Sequence, residues 1–171
     1  MIECVTDAIV LDKKIHREYD GIVSLFTEKF GLIKALASGI YKITSRLSGH
    51  LEPLDVVTVR LVKKNRFCIT DAFKVSSWVK NFSNLAFARL LEELLAPEQA
   101  EPAMWRLFMD KAPMSTMPIK SLLQLAGFDP NGARCELCHL SYPTHFSPVQ
   151  SLYFCSTCHL QSGVSAFSIS G

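Results

Sequence analysis

The chain contains no run approaching eighteen uncharged apolar residues, so no membrane-spanning helix is expected in it. Met1-Ile2-Glu3-Cys4-Val5-Thr6-Asp7 is acidic and lacks a basic stretch leading into an apolar one, so no secretory signal is expected either. Cysteine is sparse, with six in 171 residues, which argues against the dense disulfide scaffold of a small secreted domain. There is no P-loop and no GxGxxG, which removes the usual phosphate-cradling loops. Asp7, Asp12 and Asp20 lie near histidines or lysines, but no Ser/His/Asp or Cys/His arrangement emerges. Glu92 and Glu93 are adjacent on a predicted helix, where neighbours do not share a face, so they make a poor acid/base pair. The expectation is a protein that is not an enzyme. Low-complexity tracts are missing as well, and 49% apolar residues suffice for a real core.

What is present is concentrated. Cys135-Glu136-Leu137-Cys138 and Cys155-Ser156-Thr157-Cys158 are two CxxC knuckles separated by sixteen residues. Each can aim two thiolates at one ion from a tight turn, and two together complete the tetrahedral sulfur shell that structural Zn²⁺ prefers. Four thiolates leave no open position for water or substrate, so the motif predicts one structural zinc and no metal catalysis. His139, His145 and His159 adjoin the knuckles and are rival ligands, although four spaced thiolates already fill the shell. A thioredoxin-like redox CxxC would sit singly at a helix start in a βαβ pattern, which this chain lacks. Clustered thiolates together with no expected export signal place the chain in a reducing cytoplasm. Cys4 and Cys68 stand in apolar surroundings and read as buried small hydrophobes.

The composition divides the chain into three blocks, giving an α+β fold class. Residues 1–80 read as about five short strands with almost no helix signal, which fits a small closed barrel of the OB type. Cys4–Leu11, Ile22–Phe26 and Leu32–Ala37 are apolar β-rich runs, with a turn at Phe30-Gly31. After Pro53, Val57, Val59 and Leu61 alternate with Thr58 and Arg60, and Lys63-Lys64-Asn65-Arg66 forms a basic hairpin tip before Phe67–Thr70. Residues 81–130 change to helical spacing. Phe82, Leu85, Ala86, Leu90, Leu91, Leu94 and Leu95 mark a first helix ended by Pro97. A second helix opens at Pro102, with Met104, Trp105, Leu107 and Phe108 as its apolar side. A third takes Thr116 as N-cap, Pro118 in its first turn and Gly127 as its C′ residue, with Phe128 folding back on Leu123. Residues 131–171 form the zinc module, and His159 to Ser170 reads as a short strand or a fraying tail.

The formal charge is only +2, but residues 1–80 hold thirteen Lys/Arg against nine Asp/Glu, while residues 81–171 hold five against seven. Basic excess confined to the barrel block points to a polyanion bound there. Lys34, Lys42, Arg46, Arg60, Lys63, Lys64 and Arg66 are the candidate nucleic-acid contacts, with Tyr41, Phe67 and Phe73 as candidate stacking partners. Two other readings stay open: a zinc-stabilised protein–protein adaptor without nucleic-acid binding, and an RNA-binding OB protein of the translation apparatus.

Taken in order, several segments resemble the DNA repair protein RecO family of bacterial recombination mediators. They are Asp7–Leu11, Tyr19–Gly31, Ala37–Leu47, Leu51–Leu54, and Leu122–Pro130 leading into Cys135 and Cys138. The most specific is Ala37-Ser38-Gly39-Ile40-Tyr41-Lys42-Ile43-Thr44-Ser45-Arg46-Leu47. The resemblance implies an N-terminal OB-fold, a helical region and a zinc finger. It also implies binding of single- and double-stranded DNA, strand annealing, contact with the single-strand-binding protein, and RecA loading with RecR near the nucleoid. It puts Lys42 and Arg46 first among the DNA contacts. The helical stretch before the cysteines is short for the family, and thirteen residues follow Cys158, so the likeness is to a short form.

Overall fold

A computed structural model describes residues 2–109 and 119–169. Two compact units divide the chain, Met1–Ser115 and Thr116–Gly171. In the first, β1 (Ile2–Ile15), β2 (Gly21–Thr27), β3 (Gly31–Ala37), β4 (Asp55–Lys63) and β5 (Phe67–Ser77) close into a barrel of order β1-β2-β3-β5-β4. All neighbours are antiparallel except β3 and β5, which run parallel. This is the five-stranded OB-fold expected from residues 1–80.

Alternation decides which side of each strand faces inward. Ala8, Val10, Val23, Leu25, Ile33, Ala35, Val57, Val59, Leu61, Phe67 and Ile69 fill the interior together with Ile40 and Leu51 from the connection after β3. On β4 the residues between them, Thr58 and Arg60, stay outside, as the sequence pattern predicts.

Part of the barrel's exterior is buried as well. α1 (Phe82–Leu94) lies against β1, and α2 (Pro102–Met109) packs its aromatics on β2. Phe26 of β2 meets Trp105 and Phe108 edge-on at centroid distances of 5.6 and 5.7 Å, and Phe87 of α1 meets Phe108 at 5.6 Å. Ser24 Oγ donates to Glu92 Oε1 at 2.7 Å, fixing α1 over the same face. After α1, Pro97 bridges Leu32, and Glu98 N–H donates to the Leu32 carbonyl at 2.8 Å. Gly31, at φ +65°, permits that approach, because a Cβ there would lie 1.7 Å from the Gln99 carbonyl oxygen.

The phase of α1 differs from the sequence reading. Its buried residues are Asn84, Phe87, Ala88, Leu90 and Leu91, whereas Phe82 and Leu85 are exposed. Asn81 caps the helix, its side chain accepting from Asn84 N–H at 2.8 Å, and the buried face is the one that carries Phe87 and Glu92 to Phe108 and Ser24. The stretch expected as one helical region is also shared out: α1 and α2 fall in the first unit and α3 (Ile119–Leu125) in the second. Thr116 and Pro118, expected at the start of α3, lie outside the described residues. Its end matches expectation, since Gly127 (φ +86°) donates to the Gln124 carbonyl and Phe128 to that of Leu123, the paired bonds of a Schellman cap.

The second unit adds β6 (His145–Ser147), β7 (Leu152–Phe154), α4 (Ser156–Ser162) and β8 (Phe167–Ser168), with sheet order β7-β6-β8. Its aromatic core is small. Phe146 packs against Phe128 at 5.0 Å and Tyr153 at 4.9 Å, and the Tyr153 hydroxyl donates to the Phe128 carbonyl at 2.6 Å. Among the described residues, no helix is long and apolar enough to cross a membrane.

Candidate metal centre and nucleic-acid face

Cys135, Cys138, Cys155 and Cys158 come together in the second unit, with all four Sγ atoms within 4.8 Å of one another. The first knuckle closes when His139 N–H donates to the Cys135 carbonyl at 2.9 Å, with His139 itself left-handed at φ +56°. Arg134 and Ser141 bridge across its base, and Glu136 N–H ties it to the Tyr153 carbonyl of β7 at 2.9 Å. The second knuckle is the start of α4. Cys155 is its N-cap, and its Sγ accepts from Cys158 N–H at 3.4 Å.

The donor set fits zinc. A tetrahedron with Zn–S arms of about 2.3 Å has S–S edges of about 3.8 Å, and Cys138 Sγ to Cys155 Sγ measures 3.7 Å. Cys135, Cys155 and Cys158 are buried and Cys138 is exposed, the burial of a closed structural site. Among the described residues no histidine joins the group. His145 and His159 instead stack on each other at 4.3 Å.

In this close packing of the sulfurs, Cys135 and Cys158 are shifted in opposite directions. Burial raises Cys135, but backbone N–H groups, Cys138's first, outweigh it and bring this thiol down to about 6. Cys158 is pushed up to about 12, first by the hydrogen bond it shares with Cys155. A divalent cation held by the four sulfurs would favour their thiolate forms.

The basic residues of the first unit do not form one patch. Lys34 stands on the outer side of β3, 3.5 Å from Glu92 of α1, so it belongs to the helix-covered side. Lys63 pairs with Glu98 and lies over the Phe67 ring at 4.5 Å. Arg60 is 3.8 Å from Glu3, with both side chains more than half exposed. Lys42, Arg46, Lys64 and Arg66 are exposed, and no ion pair engages them among the described residues.

Arg46 and Arg60 share a surface depression on the outside of the barrel, lined also by Glu3, Leu47, Thr70 and Asp71. Lys64 and Arg66 sit at the β4–β5 hairpin tip, further along the same ribbon. Lys42 does not line that depression, and its ammonium is 5.9 Å from the centre of the Tyr19 ring. Of the three candidate stacking aromatics, Phe67 is core at 3% exposure, Tyr41 is half-buried with Lys13 over its ring, and Phe73 is 67% exposed. The sequence reading missed His50, whose ring stacks on Phe73 at 6.1 Å. No motif marks it.

The family model described as the recombination protein O N-terminal domain matches residues 1–72. The chain is 30% identical to the DNA repair protein RecO of Dehalococcoides mccartyi, over 93% of this chain and 72% of that protein. It is 28% identical to the DNA repair protein RecO of a Nocardioides species, over 93% of this chain and 75% of that protein. A third relative, the DNA repair protein RecO of Koribacter versatilis, is 31% identical over 78% of this chain and 62% of its own length.

Proposed function

Since the chain belongs to the DNA repair protein RecO family and so has a role in DNA repair and recombination, we propose that it is a non-enzymatic mediator that binds single- and double-stranded DNA. In this reading it promotes annealing of complementary strands, loads RecA together with RecR, and contacts the single-strand-binding protein, in the bacterial cytoplasm at the nucleoid. One zinc ion holds the second unit folded and takes no part in chemistry. The observation that carries the reading is an OB barrel that presents exposed cations at Arg46, Lys64 and Arg66, none of them in an ion pair among the described residues, with Lys42 on the loop before Arg46.

The mechanism is electrostatic capture. Cations that meet phosphates release condensed counterions, so binding weakens as salt rises. Single-strand affinity of the wild type and of Lys42→Ala/Arg46→Ala is measured across a salt series. The double variant is expected to flatten the log–log slope by about 1.4, roughly 0.7 for each lost contact. An unchanged slope removes these two residues from the interface.

A protein–protein adaptor is the second reading, favoured by exposed Leu137, Leu140, Tyr142, Val149 and Leu160 on the second unit. A gel shift on single-stranded DNA separates the two readings, because an adaptor gives no shift even at low salt.

The zinc assignment has its own pH signature. Metal-bound thiols titrate below free ones, so the stability that zinc confers is present at neutral pH and is lost as pH falls. Taking the protein from about pH 7.5 to about pH 4.5 is expected to release zinc to a chromogenic chelator. Zinc retained through that range would argue against thiolate ligation.

A further inference from the structure

An OB barrel usually binds strands of nucleic acid across its β2–β3 face. Here that face is occupied. Phe26 and Ser24 of β2 lie under α2 and α1, and Leu32 of β3 is bridged by Pro97. Any strand the barrel holds must lie elsewhere, and the β4–β5 ribbon leaves Arg60, Asp71 and Phe73 exposed on its outer side.

That ribbon carries an aromatic group that folding does not use. Phe73 points outward opposite Thr58, two residues along β5 from Asp71 on the same side, and is 67% exposed. The His50 ring lies beside it nearly parallel, at 28° between planes. His50 is not loosely placed: its Nδ1 accepts from the Lys74 backbone N–H at 3.3 Å. The loop that brings His50 to the strand also brings Arg46 to the depression shared with Arg60.

We propose that Phe73, flanked by His50, is a stacking platform for an unpaired nucleobase, with Arg46 and Arg60 taking the adjoining phosphates. The proposal rests on the nucleic-acid reading above and adds to it the site and the strand state that site selects. From Phe73 to Arg66 at the hairpin tip is seven residues of strand, about 23 Å at about 3.3 Å each, a track for several nucleotides. The extra residue at Thr70, where the β4–β5 register shifts between Arg60 and Leu61, gives the ribbon a local twist.

The acidic groups on this face sharpen the choice of ligand. Glu3 sits beside Arg60, Asp7 accepts from the Thr58 hydroxyl at 2.6 Å, and Asp71 accepts from Ala72 N–H at 2.9 Å. A single strand can keep its bases on the aromatic pair and its phosphates toward the arginines. A duplex has no free base face to offer and would press a second row of phosphates against these carboxylates. The platform therefore selects unpaired strands.

The test uses the full chain with oligothymidylate and with a duplex of equal length. Phe73→Ala is expected to weaken oligothymidylate binding about ten- to a hundredfold while leaving the salt slope and duplex binding unchanged. His50→Ala should weaken it less, and Phe73→Tyr should restore most of it. Phe73→Trp places an exposed indole at the site, whose emission should be quenched by oligothymidylate. Wild-type affinity in Phe73→Ala, or an unquenched indole, overturns the platform and leaves DNA binding standing. A wild-type chain that binds no DNA at low salt overturns both.

Discussion

Replacing Cys135 or Cys158 with serine is expected to abolish zinc binding and unfold the second unit of the chain. Among the described residues of that unit the buried apolar set is small: Leu122, Leu123, Phe146, Phe154 and Ile169 are the large buried side chains outside the cysteine cluster. So small a core does not hold a unit of this size folded by itself, and such units rely on a metal or disulfides. A structural zinc site contributes about 10 kcal/mol or more of folding free energy, which exceeds the margin of most small domains. Serine removes the thiolate while changing little in size, so the loss reports ligation and not packing. Elemental analysis should fall from about one zinc per chain to near none. Amide protection should be lost at Glu136, His139 and His159, whose N–H groups close or anchor the knuckles, while β1–β5 keep theirs. Wild-type protein, purified under reducing conditions, that contains no zinc would end the assignment.

What could be read from the sequence followed from how much physics a local pattern carries. Strand alternation at Val57, Val59 and Leu61 needs only a two-sided sheet, and the inward set came out as expected. The cysteine spacing needs only a tetrahedral ion, and the four sulfurs converge. α1 was harder, because Phe82 and Leu85 continue an apolar series on the side of the helix that faces solvent. α4 was missed altogether. Ser156 to Ser162 has poor helix propensity, and its start depends on a cysteine acting as cap and its end on left-handed Gly163. The binding face was legible only as a list of cations. That α1 and α2 cover β2 and β3, setting Lys34 apart from Arg60, is a tertiary fact that no charge count contains. Long-range polar partners were equally invisible, and the most consequential of them is Asp55.

Asp55→Ala is expected to destabilise the barrel by about 3 kcal/mol, or about 10 °C in Tm. Its carboxylate is fully buried at the start of β4. Oδ1 accepts from Ser77 Oγ at 2.7 Å, Lys74 Nζ at 2.8 Å and Lys80 Nζ at 3.1 Å, and Oδ2 from Glu52 N–H at 3.2 Å. The group joins the end of β5, the loop before β4 and the residue just ahead of the Asn81 cap. It therefore couples closure of the β4–β5 ribbon to the start of the helix that covers the barrel. Removing it strands the Ser77 hydroxyl and the Glu52 amide, whereas both lysines are partly exposed and can turn to water, which limits the loss. Burial pushes the Asp55 carboxyl up, but Lys74, Ser77 and Lys80 together hold it below its ordinary value. A depressed carboxylate contributes stability above the ordinary carboxylate range and loses it as pH falls through that range and below. Wild type should thus lose more stability on acidification than Asp55→Asn, which keeps hydrogen bonding but carries no charge. Urea melts of both at neutral and acidic pH measure this, and parallel losses would show that the carboxylate charge is not what holds the ribbon to the helix.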